Sequence, residues 1–142
     1  MCQDAGRMSE RRFGRTFRSL EGIFKFVAEF LESSGLPAPA AFELDLVIEE
    51  LFTNMVKYAP HGAPEIEIGL TRLGPDVVIV LRDFDVEPFD PTRAPRADVG
   101  RPLGERPAGG LGLHLVRRIA RDLRYDYRDR SSTITVTLRS EP

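Results

Sequence analysis

Residues 84–108 hold five of the chain's eleven prolines, and neither a helical nor a strand period survives among them. Each proline removes an amide donor and biases its predecessor away from helix, so no regular element spans this stretch. Unstructured connections longer than about 12–15 residues are uncommon in compact domains unless they serve a function, and a lid over a ligand site fits best. One core must therefore be assembled from periodic segments lying on either side of this connection.

Before it, residues 12–18 alternate around Phe13 and Phe17 and predict a short edge strand. From Ser19, an N-cap, apolar residues at Leu20, Ile23, Phe24, Val27, Phe30 and Leu31 keep helical spacing until Gly35 stops the run. Prolines at 37 and 39 break the chain, and a second helix is predicted over 41–58, apolar on more than one side as a buried helix is. Residues 65–73 and 77–83 read as a hairpin around Gly74-Pro75-Asp76. After the connection a third helix starts near Gly110, with Leu113, Val116, Ile119, Ala120 and Leu123 as its core positions. Residues 124–128 and 133–139 add two strands, with Ile134, Val136 and Leu138 on one face.

A chain of 142 residues, 42% hydrophobic, supplies one core, so a single domain is expected over 12–142 after a flexible N-terminus of 1–11. The formal charge of −2 gives no global electrostatic reason to bind nucleic acid or an anionic membrane. No run approaches the roughly 20 apolar residues needed to span a bilayer. Cys2 is the lone cysteine, which excludes an intramolecular disulfide and any cysteine-based metal site. These features fit a cytoplasmic protein. His61 and His114 lack a third ligand nearby in sequence, and no zinc is expected.

Three groups of residues carry chemistry. Glu50 and Asn54 stand one turn apart on the same face of the second helix. A carboxamide oxygen suits Mg²⁺, and a carboxylate suits proton abstraction from a hydroxyl; a solvated surface stripe is the plain alternative. Gly109-Gly110-Leu111-Gly112-Leu113 leads into the third helix, where close backbone approach and free amides attract phosphate. Asp83 ends a strand, where its carboxylate is placed to accept a hydrogen bond from an exocyclic amine, the group that separates adenine from guanine.

In order and spacing these elements resemble the GHKL superfamily of gyrases, heat-shock chaperones, histidine kinases and MutL. The resemblance is strongest to its short branch, the anti-sigma-factor serine kinases. Residues Glu50-Leu51-Phe52-Thr53-Asn54-Met55-Val56-Lys57-Tyr58-Ala59 look like the family's N box, Pro88-Phe89-Asp90-Pro91 like the end of its adenine motif, and residues 109–116 like its second glycine box. The match covers most of residues 12–139. It implies an α+β fold, a two-layer α/β sandwich whose mixed, mostly antiparallel sheet carries helices on one face (the Bergerat fold), with ATP and Mg²⁺ on the helical side.

By the same resemblance Glu50 is the general base, Asn54 the Mg²⁺ ligand and Asp83 the adenine acceptor. Gly109, Gly110, Leu111, Gly112 and Leu113 wrap the phosphates, flanked by Lys57 and Tyr58. Phe89 and Thr135 join the nucleotide site, and Arg106, the lid arginine nearest the glycines, is a γ-phosphate contact. The other lid arginines, Arg93, Arg96 and Arg101, read as a solvated charge run. The family's adenine motif is Asp-x-Gly, yet Asp83-Phe84-Asp85 lacks the glycine. Counting back from Pro88 puts Val86 in the glycine's place and Phe84 in the aspartate's, so either the register shifts by one residue or base recognition is altered. Asp85 is the fallback acceptor.

The implied activity is that of an ATP-dependent serine/threonine protein kinase in a bacterial partner switch. Such a protein sequesters a sigma factor or other regulator and phosphorylates a small STAS-like antagonist. The alternative is a catalytically weak binding module acting by sequestration alone. The phenylalanines of the first helix serve either the core or a homodimer face.

Overall fold

Period-two alternation decides which way the sheet faces. In β2 (Glu65–Leu73) and β3 (Asp76–Phe84), the side chains of Ile66, Ile68, Leu70, Val77, Ile79 and Leu81 share one face and are buried there. The hairpin pairs Leu73 with Asp76, so its turn is the two residues Gly74-Pro75. The structure is a computed structural model and describes residues 8–36, 40–90 and 110–139.

β1 (Ser9–Gly14) pairs with β2 at one edge; β5 (Ser131–Arg139) pairs with β3, and β4 (Asp122–Arg128) lies beyond it. The order is β1-β2-β3-β5-β4, and every neighbouring pair is antiparallel. The sheet expected to be mixed is thus wholly antiparallel among the described residues.

Three helices, α1 (Leu20–Ser34), α2 (Ala40–Tyr58) and α3 (Gly110–Ile119), supply the other layer. Ile23, Phe26, Val27, Phe30 and Leu31 of α1, Val47, Ile48, Leu51 and Phe52 of α2, and Val116 of α3 form one cluster with the strand residues above. Phe26 and Phe30 therefore belong to the core. α1 ends where glycine was expected to end it: Gly35 takes φ 71 and its N–H returns to the carbonyls of Leu31 and Glu32. The opposite face of the sheet carries charge instead, with Arg82 paired to Glu67 at 3.0 Å and to Glu10 at 3.4 Å.

Element boundaries differ most from the periodic reading at three places, each for a local reason. β1 lies earlier than 12–18 because the Thr16 hydroxyl accepts the Arg18 N–H and opens a one-turn 3₁₀ helix, Phe17–Ser19, which leaves Phe17 half exposed. α3 stops at Ile119, since the Arg121 N–H donates to Thr137 O at 2.8 Å and draws the chain into the sheet; Leu123 packs on the core from β4. β5 begins at Ser131, paired with Phe84, which lengthens the expected strand by two residues.

Phe52 is fully buried between the layers. Phe52→Ala is expected to lower the unfolding free energy by about 3–5 kcal/mol, read by urea denaturation. A loss under about 1 kcal/mol would mean the helical layer is not packed as described.

Candidate functional site

Leu51, Asn54, Met55 and Tyr58 recur at helical spacing along α2 and form one wall of a cavity of about 220 Å³. Ala59, Asp83 of β3, Ser132 and Ile134 of β5, Leu113 of α3 and the segment Val86-Glu87-Pro88-Phe89 complete its lining. An apolar enclosure with a few convergent polar groups is the usual make-up of a small-molecule site.

Asn54 is 4% exposed, and neither its Oδ1 nor its Nδ2 has a hydrogen-bond partner among the described residues. An unsatisfied buried polar group costs about 1–3 kcal/mol, so an arrangement with two such atoms beside a cavity fits a ligand that supplies the missing partners. Among the described residues no cluster of His, Cys, Asp or Glu is placed to hold a metal. A cation beside Asn54 would take most of its oxygens from phosphate and water.

Asp83 is 2% exposed and points into the cavity. Its carboxylate is gripped by Arg15, whose Nη2 donates to Oδ1 and whose Nη1 donates to Oδ2 at 3.3 Å. Arg15 also donates from Nε to Ala63 O at 2.8 Å and from Nη1 to Met55 O at 3.2 Å. Burial pushes the Asp83 carboxyl up, while the hydrogen bonds and charge of Arg15 pull it down. Nothing in the sequence set Arg15 apart from Arg11, Arg12 and Arg18, and it was missed.

Phe84 lies on the opposite side of the sheet, its ring 5.3 Å from the Arg12 guanidinium, so Asp83 is the carboxylate on the helical side. Asp85 is not an acceptor in the cavity. Its carboxylate is exposed and paired with Arg130 at 3.0 Å. Its backbone explains the position: φ is 58, the left-handed region in which glycine is usual and aspartate is among the better tolerated side chains. Asp85 thus adopts a backbone conformation that glycine takes most readily. The segment it starts is fastened to the β4–β5 hairpin, with the Val86 N–H on Arg130 O at 2.9 Å, the Tyr127 hydroxyl donating to Val86 O at 2.7 Å and the Phe89 N–H on the Tyr125 hydroxyl at 3.0 Å.

Of the other expected residues, Leu113, Tyr58 and Phe89 line the cavity, and the last two stack with ring centroids 5.1 Å apart. Burial, helped by the nearby charge of Glu50, raises the Tyr58 hydroxyl. Glu50 is half-buried, one turn before Asn54 and not on the cavity wall. Burial pushes its carboxyl up, Lys57 pulls it down and Glu49 adds to the rise. Lys57 itself is exposed. Gly110, Leu111 and Gly112 form the first turn of α3, whereas Arg106, Gly109, Arg93, Arg96 and Arg101 lie outside the described residues. Thr135 is a correction: it alternates with the buried Ile134 and Val136 and so stands on the opposite face of the sheet from the cavity. The β5 residue that does reach the cavity is Ser132, directly opposite Asp83 in the ladder. Counting back by two from Ile134 finds it.

Residues 14–138 match the family described as the histidine kinase-like ATPase domain. The chain belongs to that family. It is 31% identical over 103 residues, 71% of this chain and 72% of the relative, to the serine/threonine-protein kinase BtrW of Bordetella bronchiseptica. Two solved structures share the fold. The RsbU and RsbW domains of Rv1364c from Mycobacterium tuberculosis superpose over 93% of this chain at 15% identity and a TM-score of 0.62, although the match spans only 31% of that longer chain. In the SiaB–SiaC complex of Pseudomonas aeruginosa the match covers 92% of this chain and 88% of that one, at 14% identity and a TM-score of 0.59. Membership of an ATPase domain family implies ATP as the ligand.

Asn54→Leu is expected to stabilise the ligand-free protein by about 1–3 kcal/mol, because it removes an unsatisfied buried carboxamide at similar volume. Denaturant melts check this, and a clear destabilisation would mean that Asn54 is satisfied from within the chain.

Proposed function

We propose that this protein is an ATP- and Mg²⁺-dependent serine/threonine protein kinase of a bacterial partner switch. It sequesters a regulator, such as a sigma factor, and phosphorylates a small STAS-like antagonist. The observation that carries the reading is the unpartnered carboxamide of Asn54, facing a cavity whose other polar walls include Asp83 and Ser132 and lying one helical turn from Glu50. Likeness to a serine/threonine-protein kinase at 31% identity supports the same class.

Bound Mg-ATP supplies the transferable phosphoryl group with part of its charge already neutralised. The chain's residues hold it in place. Asn54 Oδ1 offers the hard oxygen that Mg²⁺ prefers. Asp83 accepts the exocyclic amine of adenine, Ser132 adds a hydroxyl beside it, and Leu51, Met55, Val86, Leu113 and Ile134 keep water from the base. Gly110, Leu111 and Gly112 at the start of α3 bring free backbone amides to the phosphates. By the family resemblance Gly109 and Arg106, which lie outside the described residues, would complete the phosphate contacts, with Lys57 and Tyr58 flanking them.

Glu50 takes the proton from the attacking hydroxyl of the protein substrate, so it must be ionised to act. Burial raises its pKa above that of an ordinary glutamate, which makes it a stronger base and moves its protonation toward neutrality. Asp85, whose departure from glycine motivated the alternative of an inactive binding module, takes a left-handed φ of 58 and is not on the cavity wall, which supports the kinase reading.

Glu50→Gln is expected to cut the phosphorylation rate of a cognate antagonist by about 10²–10⁴-fold while Mg-ADP affinity stays near the wild-type value. A wild-type rate would remove Glu50 from the role of base. In the wild type the rate should fall with decreasing pH through a pKa higher than that of a free glutamate, and a pH-independent rate in that range contradicts the assignment.

A further inference from the structure

Arg15 is almost fully enclosed, its side chain 5% exposed beside an Asp83 side chain 4% exposed. It is not on the cavity wall, yet it bonds both oxygens of the carboxylate that is. We infer that Arg15 is a specificity-determining positioning residue: its fork on Asp83 fixes which acceptor the carboxylate turns to the cavity and hence which purine the site takes. This rests on the nucleotide reading above.

A carboxylate has about four lone-pair sites; Arg15 takes two and the Phe84 backbone one, leaving about one for a ligand. One remaining acceptor suits the single exocyclic amine that adenine presents and repels a carbonyl oxygen in the same place. The fork is itself fixed, because two further guanidinium donors are held by the carbonyls of Met55 and Ala63. Space for it comes from Gly62, where a Cβ would overlap the Arg15 guanidinium and Val86 Cγ1. That glycine is required by close approach.

Removing Arg15 leaves a buried carboxylate with no counter-charge. The titratable groups around it are few: Tyr58 on α2 and Glu87, which is paired with Arg130, line the same cavity, while α3 and β5 contribute Leu113, Ser132 and Ile134, and His61 in the 59–64 connection is exposed. An unpaired buried carboxyl takes up a proton. As an acid it donates as well as accepts, and a carbonyl-bearing purine such as guanine then becomes a partner. Loss of Arg15 should therefore erode selectivity and not only affinity.

Titration calorimetry of the full chain with Mg-ADP and Mg-GDP tests this in the wild type, Arg15→Met, Arg15→Lys, Gly62→Ala, Asp83→Asn and the Arg15→Met/Asp83→Asn pair, with folding verified by circular dichroism. The wild type should prefer ADP. Arg15→Met should lose about tenfold or more in ADP affinity and most of its ADP-over-GDP ratio, with part of the ratio regained in Arg15→Lys. In the Asp83→Asn background Arg15→Met should change the ratio no further, a non-additivity that a merely structural residue would not give. An unchanged ratio in a folded Arg15→Met overturns the inference. Should that variant fail to fold, an unchanged ratio in both Arg15→Lys and Gly62→Ala overturns it equally. A wild type that binds neither nucleotide overturns the nucleotide reading itself, and this inference with it.

Discussion

Arg15 joins four parts of the molecule. Its backbone N–H donates to Pro64 O at 2.9 Å, and its side chain reaches the last turn of α2, the α2–β2 connection and the end of β3. The buried ion pair with Asp83 is not by itself a large source of stability, since desolvation offsets most of the Coulomb attraction. Breaking one side of it is another matter and typically costs about 3–5 kcal/mol. The pair therefore acts as a positional constraint between α2 and β3, which form two walls of the cavity.

That cavity lies on the side of the sheet that the three described helices cover. Alternation sends Ile66, Ile68, Ile79 and Leu81 toward the helices and leaves Arg12, Glu67 and Arg82 on the far face. α2 lies against the apolar face with Leu51 and Met55, and along the same stripe it brings Asn54. A carboxamide left unsatisfied in such a place lowers the stability of the ligand-free chain. The proposed function accounts for this cost by making the same group available to a ligand. Asp83 shows the complementary solution, a buried charge whose partner is built in.

Much of this architecture is written locally. The helical spacing from Leu20 to Leu31, the Gly35 stop and the hairpin at Gly74-Pro75 need no tertiary information, and each element appears close to its expected bounds. Asn54 and Leu113 were legible on the cavity wall because helix periodicity places side chains directly, whereas Glu50 stands one turn off it. What escaped depended on pairing across the sheet. Ser132 enters the site through its register with Asp83, and Thr135 leaves it by parity, although the alternation of Ile134, Val136 and Leu138 already fixed that parity. Arg15 is a long-range partner of Asp83, and no local pattern marks an arginine that turns inward. Asp85 carries its information in a backbone angle, which composition does not express.

Amide chemical-shift mapping of the ¹⁵N-labelled chain during titration with Mg-ADP tests most directly the claim that one cavity between α2 and β3 takes the nucleotide. The account predicts saturable shifts at Asn54, Met55, Asp83, Val86, Leu113 and Ser132, while Thr71 and Val78 on the far face of the sheet stay in place. Shifts centred on that far face, or none at saturating nucleotide, would contradict it.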